Sequence, residues 1–276
     1  MVVVSRLLPA VLFSFVAVTS VCAAQADLAS PPLEDARGDY ASLRSRLVSR
    51  YGEAKPHDWG ENVPGVKTRL KTREQIVALT FDACGGAKGK GFDAKLIDFL
   101  EQEHVPATLF INGRWIEANP DIFKRLASNP LFEIANHGDQ HRPASVTGRK
   151  AYGIQGTRSV GALVDEIELN ARRIAAITGR RPAFYRSGTA YYDEIAVAIA
   201  GELGQQVAGF SVLGDAGATF SAEQVKNALL RAPGGAIIIC HMNHPESGTA
   251  AGVMAAVPEL KKRGVTFVHL SDRLLE

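Results

Sequence analysis

The chain has 276 residues, of which 46% are hydrophobic and 22% are charged, and its formal net charge is +2. This composition is typical of a soluble globular protein with one sizeable core, and a single α/β barrel of about 200–250 residues fits the length without a second domain. Nothing in it supports a nucleic-acid partner, because no basic run with interleaved aromatic residues occurs.

The first 26 residues are typical of a signal peptide. Arg6 supplies the positive charge, residues 7–18 form a short apolar run, and small residues follow up to Ala24 and Ala26. The apolar run is too short to span a bilayer comfortably. We therefore predict cleavage after Ala24 or Ala26 and an exported protein, periplasmic or secreted, with an uncleaved anchor as the alternative. Loss of Arg6 lowers the net charge from +2 to +1, because the segment holds no acidic residue.

Residues 27–74 are predicted to form an N-terminal extension. Apolar residues recur at helical spacing between Asp39 and Tyr51, which predicts a short amphipathic helix. Prolines and glycines then interrupt regular structure, at Pro56, Gly60, Pro64 and Gly65. Trp59 in this stretch is expected to pack against one end of the following domain or to line a cleft there.

From residue 75 to residue 276, apolar strands alternate with helices. The predicted strands cover residues 75–81, 107–111, 131–135, 183–186, 206–212, 236–240 and 265–270. The predicted helices cover residues 92–103, 119–127, 159–178, 192–203, 221–231 and 250–263. Alternation of buried strands with helices predicts a parallel sheet, and seven strands fit a closed or nearly closed barrel. A doubly wound open sheet is the alternative.

Two cysteines, Cys84 and Cys240, remain after removal of the signal segment, and both lie near the ends of predicted strands. An exported protein meets oxidising conditions, in which cysteine pairs form disulfides. A disulfide between these residues and a pair of free thiols are both compatible with the sequence.

Titratable residues follow most of the predicted strands. In chain order these are Asp82, His137, His141, Arg186, Asp215 and His241. In a parallel barrel the functional groups lie at the carboxyl ends of the strands, so we expect these side chains to meet. Two imidazoles four residues apart can reach one divalent metal ion. The alternative for each residue is structural: a strand-end cap, a salt bridge or a turn.

Four motifs occur in a fixed order: Thr80-Phe81-Asp82, His137-x-x-x-His141, Arg186 after an aromatic pair, and Ile239-Cys240-His241. This order resembles the polysaccharide deacetylases of the NodB-homology type, carbohydrate esterase family four, over about residues 70–275. The resemblance implies a (β/α)7-type barrel and a divalent metal, commonly zinc. It also implies hydrolysis of N-acetyl groups from an amino-sugar polymer or oligosaccharide such as chitin or peptidoglycan.

The resemblance also implies catalytic roles. Asp82 is similar to the general base, and His241 to the general acid that protonates the departing amine. Asp215 is similar to the carboxylate that pairs with the acid histidine, and Arg186 to the arginine that orients the base. The backbone N–H of Thr189 falls where the family has an oxyanion donor.

His137 and His141 are similar to the metal ligands of the family, but the chain departs from the family pattern at the third ligand. The family has a second acid after the base, and here that position is Ala83, which cannot bind a metal. Asp82, Asp139 or water is left to complete the site. Loss of the metal would instead leave a non-catalytic carbohydrate-binding protein.

Two further departures lie on the substrate side. Ser187-Gly188-Thr189 replaces a proline-rich turn, and residues 214–217 replace an aspartate–tryptophan pair. An amidase acting on a non-sugar amide is therefore an additional alternative. Trp115, Tyr191 and Tyr192 are candidates for stacking on a sugar ring, with packing inside the barrel as the alternative.

Overall fold

A computed structural model describes residues 1–2 and 36–276, and the predicted signal segment lies outside the described residues apart from its first two. The described residues from 36 onward belong to one compact unit. Among them, no helix has the length and apolar character needed to cross a membrane.

Ten strands and eight α-helices make up the described part of the chain. The strands are β1 (Ile76–Ala83), β2 (Ala107–Ile111), β3 (Phe132–Asn136), β4 (Lys150–Ala151), β5 (Ile154–Gln155), β6 (Phe184–Tyr185), β7 (Gln206–Val207), β8 (Val212–Leu213), β9 (Ile237–His241) and β10 (Thr266–Phe267). The helices are α1 (Ala36–Tyr51), α2 (Ala94–Gln102), α3 (Gly113–Ala118), α4 (Pro120–Ser128), α5 (Val160–Thr178), α6 (Glu194–Glu202), α7 (Ala222–Leu230) and α8 (Thr249–Lys262).

The parallel strands form a (β/α)7-type barrel, as predicted. Their order is β7-β6-β3-β2-β1-β9-β8, and β10 also pairs with β1. The predicted strand at residues 206–212 is divided into β7 and β8, which lie at the two ends of this order. One short segment of chain therefore joins both edges of the curled sheet. The antiparallel pair β4–β5 lies outside the sheet, within the predicted loop at residues 142–158.

Alternation along β1 separates two packed layers. Val77, Leu79, Phe81 and Ala83 belong to the hydrophobic cluster that the helices cover. Ile76 and Ala78 belong to a different cluster, formed with inward residues of neighbouring strands. Because successive side chains of a strand point to opposite faces, Asp82 lies on the inner face at the carboxyl end of the barrel.

Side-chain hydrogen bonds and a glycine set the helix boundaries. The side chain of Ser159 accepts a hydrogen bond from the backbone of Ala162 and caps the start of α5. Gly179, with φ of 73°, ends α5 in the left-handed conformation that glycine adopts without strain. α3 was not predicted; it follows Asn112, whose side chain accepts a hydrogen bond from the backbone of Arg114.

The N-terminal extension packs against the barrel. Leu47 on α1 is fully buried in the cluster that contains Leu163 and Val164 of α5. The Nε atom of Arg44 lies 2.7 Å from the carboxylate of Asp165. Residues 60–70 then form isolated bridges to the barrel and to the last residues of the chain. The extension therefore shares a core with the barrel.

Cys84 and Cys240 are both free thiols, so the disulfide that the sequence left open is not formed. Cys240 lies in the helix-covered cluster together with Phe81 and Ala83. Cys84 follows Ala83 and lies beside His137 instead. The two sulfur atoms therefore belong to different environments.

Candidate active site

The strand register brings the predicted groups to one end of the barrel. Asp82 on β1 lies opposite His241 on β9. The last residues of β3 and β6 also lie opposite each other, and the next residues along the chain are His137 and Arg186. Two acid–base candidates and one predicted metal ligand are therefore held by adjacent or neighbouring strands.

Asp82 and Arg186 form a buried ion pair. Arg186 donates to Oδ1 of Asp82 over 2.7 Å, and its side chain is fully buried. Its other nitrogens donate to the carbonyl oxygens of Ala208 and Gly209 over 3.0 and 2.8 Å. Because the guanidinium is fixed by these bonds, it orients Asp82. The second oxygen of Asp82, Oδ2, lies 3.6 Å from Nε2 of His137.

His241 and Asp215 form a second pair, in which Asp215 is buried and His241 is partly exposed. Nδ1 of His241 lies 2.9 Å from Oδ1 of Asp215, while the backbone N–H of His241 and the hydroxyl of Thr249 donate to Oδ2. Burial raises the pKa of Asp215, but its bonds to His241 and Thr249 outweigh this and lower the pKa below its ordinary value. Burial lowers the pKa of His241, but Asp215 and the neighbouring Cys84 raise it well above its ordinary value. His241 is therefore suited to carry a proton.

Cys84, His137 and His141 form a second cluster, called here the donor group. One ligand atom from each residue lies within 4.8 Å of the other two, and Sγ of Cys84 lies 3.9 Å from Nε2 of His137. Nδ1 of His137 lies 3.0 Å from the carbonyl oxygen of Arg186, which favours a proton on Nδ1 and a free lone pair on Nε2. The donor group can therefore hold a divalent metal.

Two features of the donor group are unusual for a metal-free pocket. Nε2 of His141 is buried and has no hydrogen-bond partner among the residues that the structure describes. His141 also has φ of 59°, a conformation that side-chain-bearing residues rarely adopt. Burial raises the pKa of the Cys84 thiol, but His141, His137 and His241 outweigh this and lower the pKa well below its ordinary value. The thiolate is the form of cysteine that binds metals.

Both carboxylates predicted as alternatives for a third metal ligand are paired with arginines. Asp82 pairs with Arg186, and Oδ1 of Asp139 accepts a hydrogen bond from Arg173 over 2.7 Å. Neither carboxylate belongs to the donor group, where Cys84 stands instead. Cys84 was not predicted as a site residue, although strand alternation places residue 84 on the same face as Asp82.

Glu166 on α5 holds the segment that carries His141. Its buried carboxylate accepts hydrogen bonds from the backbone N–H groups of Gln140 and Arg142, at 3.0 and 3.1 Å. Gly138 has φ of 73°, and a Cβ atom there would lie 2.4 Å from Oε1 of Glu166. Burial raises the pKa of Glu166 to about 7, although these backbone groups lower it. Glu166 was not predicted from the sequence either. The pattern that could have indicated it is an acidic residue on the apolar face of a predicted helix.

Two asparagines support the same segment. Oδ1 of Asn136 accepts from the backbone of Gly138 over 2.9 Å, and its Nδ2 donates to the carbonyl oxygen of Ile167. Asn112 donates from Nδ2 to the carbonyl oxygen of His137 over 3.0 Å. The backbone around the histidine pair is therefore fixed by two buried side chains, one at the end of β3 and one directly after β2.

Thr189 lies on the turn after β6, next to the donor group. A Cβ atom at Gly188 would lie 2.3 Å from the carbonyl carbon of His141, so this turn packs directly against the histidine segment. Among the residues that the structure describes, no protein acceptor takes the Thr189 amide hydrogen. The N–H group is therefore available for a substrate oxygen, and its oxyanion role stays a prediction.

Tyr191, which lies on the same turn as Thr189, belongs to an aromatic cluster. The ring centroid of Tyr191 is 5.8 Å from that of Trp59 and 5.4 Å from that of Tyr152, which is 72% exposed. Trp115 and Tyr192, the other aromatic candidates for sugar stacking, are fully buried. Among the predicted stacking candidates, Tyr191 is therefore the partly exposed one, and it lies in a cluster with Trp59 and Tyr152.

Known proteins share this sequence and fold. The peptidoglycan-N-acetylmuramic acid deacetylase PdaA of Bacillus subtilis is 24% identical over 213 residues, which cover 74% of this chain and 73% of the relative. The peptidoglycan-N-acetylglucosamine deacetylase of Bacillus cereus is 27% identical over 213 residues, covering 76% of this chain and 92% of the relative.

Among solved structures, a carbohydrate esterase family four pseudoenzyme from Bacillus anthracis superposes with a TM-score of 0.64 at 20% identity. The match covers 77% of this chain and 69% of that chain, and it shows the shared fold. The family model described as polysaccharide deacetylase matches residues 69–208, about half of the chain. The chain therefore belongs to the polysaccharide deacetylase family.

Proposed function

We propose that the protein removes N-acetyl groups from an amino-sugar polymer or oligosaccharide of the peptidoglycan or chitin type. The observation that carries the proposal is the placement of Asp82 and His241 on paired strands beside the donor group. A base, an acid and a metal-binding group at one end of a barrel are the parts that metal-assisted amide hydrolysis requires. The deacetylase names of the two Bacillus relatives support the same reaction.

The protein side chains divide the proton transfers between them. Asp82, oriented by Arg186, takes a proton from the attacking water, whose oxygen bonds to the acyl carbon. His241, held by Asp215, delivers a proton to the departing nitrogen as the C–N bond breaks, so acetate and a free amine are the products. The N–H of Thr189 stabilises charge on the former carbonyl oxygen.

The donor group has the chemistry of a divalent metal site, for which we propose zinc. Imidazole and thiolate donors suit zinc, and the buried Nε2 of His141 lacks any other partner among the described residues. A metal bound by His137 and His141 would polarise the amide carbonyl and make water more acidic. Arg186 pairs with Oδ1 of Asp82, and Oδ2 of Asp82 lies 3.6 Å from Nε2 of His137, next to the proposed metal position.

The surroundings of the site support a glycan substrate. The cluster of Trp59, Tyr152 and Tyr191 offers aromatic faces and edges next to the turn that carries Thr189. Tyr191→Ala is expected to raise KM for acetylated oligosaccharides by about tenfold or less and to leave KM for the acetylated monosaccharide unchanged, since such contacts contribute about 0.5–1.5 kcal/mol each. Steady-state kinetics on a chain-length series measures this difference.

The signal-like first 26 residues support export, so we place the reaction in the periplasm or outside the cell. Acetate release from acetylated chito-oligosaccharides and from peptidoglycan fragments, measured with and without a chelator, tests the proposed reaction. Activity that survives both metal removal and Asp82→Asn would contradict it.

A carbohydrate-binding protein without turnover is the second candidate, and Ala83 favours it because the family acid at that position is missing. It predicts binding of the same oligosaccharides with no acetate release at any metal concentration. Hydrolysis that is abolished by His241→Ala would eliminate this candidate.

A further inference from the structure

The position of Ala83 leaves the predicted metal site with two protein ligands, whereas catalytic zinc is held by three. Ala83 is fully buried in the helix-covered cluster. Its side chain continues the face of Val77, Leu79 and Phe81, away from the barrel interior. The methyl group of Ala83 offers no ligand atom, and it packs in the core.

The side chain of Cys84 points toward the barrel interior, whereas that of Ala83 points toward the helix-covered core. Cys84 follows Ala83, so its side chain returns to the face of Asp82, and its Sγ lies 3.9 Å from Nε2 of His137. Cys84 and the two histidines offer ligand atoms that are all within 4.8 Å of one another. Since each metal–ligand bond is about 2.0–2.3 Å long, two ligands of one tetrahedral ion lie about 3.3–3.8 Å apart. The 3.9 Å between Sγ of Cys84 and Nε2 of His137 is close to this range.

The chain after Cys84 is fixed by close backbone packing. Gly85 has φ of +69°, and a Cβ atom there would lie 2.3 Å from the backbone nitrogen of Trp115. The N–H of Gly85 also donates to the carbonyl oxygen of Gly89 over 3.0 Å. Only glycine fits this turn, so the position of Cys84 beside the histidines is determined by the backbone.

We propose that Cys84 is the third protein ligand of the metal, which makes the site a cysteine–histidine–histidine site. The inference rests on the proposed function, since it completes the same metal site. On binding, the thiol loses its proton and the sulfur donates an electron pair to the divalent ion, without any redox change. With Cys84 as the third ligand, Asp82 is not needed in the metal site and can act as the base, oriented by Arg186 through Oδ1.

Cobalt(II) binding tests the assignment independently of catalysis. Cobalt is titrated into metal-free protein, and the thiolate-to-cobalt charge-transfer band in the near ultraviolet is recorded together with the stoichiometry. The comparison uses the wild-type protein, Cys84→Ser and the matched control Cys240→Ala. We expect one cobalt per chain and the band in the wild type and in Cys240→Ala.

In Cys84→Ser the band is expected to disappear and the affinity for cobalt to fall by at least about tenfold. Loss of a residue that only supports a ligand already lowers metal affinity by about 10–100-fold, and loss of a ligand should lower it at least as much. Cys240 remains in this variant, so a band that persists would come from a different thiolate and would contradict the assignment. Cys84→Asp supplies an oxygen donor instead and is expected to bind cobalt without the band.

X-ray absorption of the zinc-loaded Cys240→Ala protein gives a second test that does not depend on folding of a Cys84 variant. A sulfur neighbour at about 2.3 Å supports the assignment, and a shell of nitrogen and oxygen alone overturns it. Cobalt bound without a thiolate band overturns only the role of Cys84. A thiolate band in a protein that releases no acetate from any substrate leaves Cys84 as a ligand and overturns the proposed deacetylase. Failure to bind any divalent metal overturns both.

Discussion

The two halves of the candidate site differ in how far the protein satisfies its own polar groups. One half, called here the catalytic half, contains the residues with proposed catalytic roles, Asp82, Arg186, Asp215 and His241, and its two ion pairs have separations of 2.7 and 2.9 Å. In the donor group, the sulfur of Cys84 approaches Nε2 of His137 only to 3.9 Å. Nε2 of His141 has no partner among the described residues, and its backbone is in the left-handed region.

This difference indicates which half is complete without a bound ion. A buried polar atom without a partner costs about 1–3 kcal/mol, and a strained backbone conformation adds a cost of the same order. Such costs are retained where binding of a ligand recovers them. The catalytic half therefore satisfies its own polar groups, whereas the donor group leaves Nε2 of His141 without a partner among the described residues, as the proposed metal site would. Variants in the catalytic half should therefore change the rate of hydrolysis, and variants in the donor group should change metal binding.

Asp82→Asn is expected to have the largest effect on rate. Loss of the base should lower kcat by about 10²–10⁴-fold, the range typical of general acid–base catalysis, while the metal content stays at the wild-type value. Acetate release and metal analysis of the same preparation measure both quantities. Asp139→Asn is the matched control, because Asp139 pairs with Arg173 outside the donor group. Loss of metal in Asp82→Asn would mean that Asp82 is itself a ligand.

His141→Gly should change metal binding by the donor group and leave the catalytic half intact. Glycine accepts the φ of 59° without strain, and the substitution removes the unpartnered nitrogen, so the metal-free variant should unfold at a temperature no lower than the metal-free wild type. Added zinc should raise the melting temperature of the wild type but not that of the variant, because stabilisation by a ligand requires binding to the folded state. Equal zinc stabilisation of both proteins would argue against His141 as a ligand.

Asp215→Asn should change the pH dependence of the rate. The bond to Asp215 raises the pKa of His241, so the neutral replacement should lower that pKa. An acid catalyst must be protonated, and activity is lost as the pH rises through its pKa. The basic limb of the profile of kcat against pH should therefore move to lower pH, with the acidic limb unchanged. A basic limb that stays at the same pH would show that His241 is not the general acid.

The placement of Asp82, Arg186, Asp215 and His241 together at one end of the barrel could be predicted from sequence, because each lies at or just beyond a strand end. Strand periodicity places Asp82 and His241, and the resemblance to a family supplies their roles. Cys84 was missed because the family register points to Ala83, where the regular alternation of β1 turns the side chain into the core. Glu166 was missed because its partners are backbone N–H groups 24 and 26 residues away, and no local pattern encodes that contact.

Glu166→Gln should have the smallest effect on rate and tests how the donor group is supported. The substituted amide keeps one acceptor oxygen for the backbone of residues 140–142, so zinc affinity should fall by about tenfold, the lower end of the range for residues that support ligands. Competition with a chromophoric chelator measures this affinity. Glu168→Gln is the matched control on the same helix, because Glu168 pairs with Arg172 and Arg181 instead. An equal loss of affinity in both variants would show a general effect of α5.

The same variant should also alter the pH dependence of folding stability. The pKa of Glu166 is raised from 4.5 to about 7, so the folded state holds its proton more tightly than the unfolded state. Its contribution to stability is therefore fully present below a pH of about 4.5 and is lost as the pH rises through about 7. In Glu166→Gln this loss is absent, so urea unfolding in the presence of chelator should show the variant gaining stability relative to wild type between about pH 5 and about pH 8. A constant difference across that range would mean that Glu166 is ionised throughout, held as a carboxylate by the backbone groups of the histidine segment.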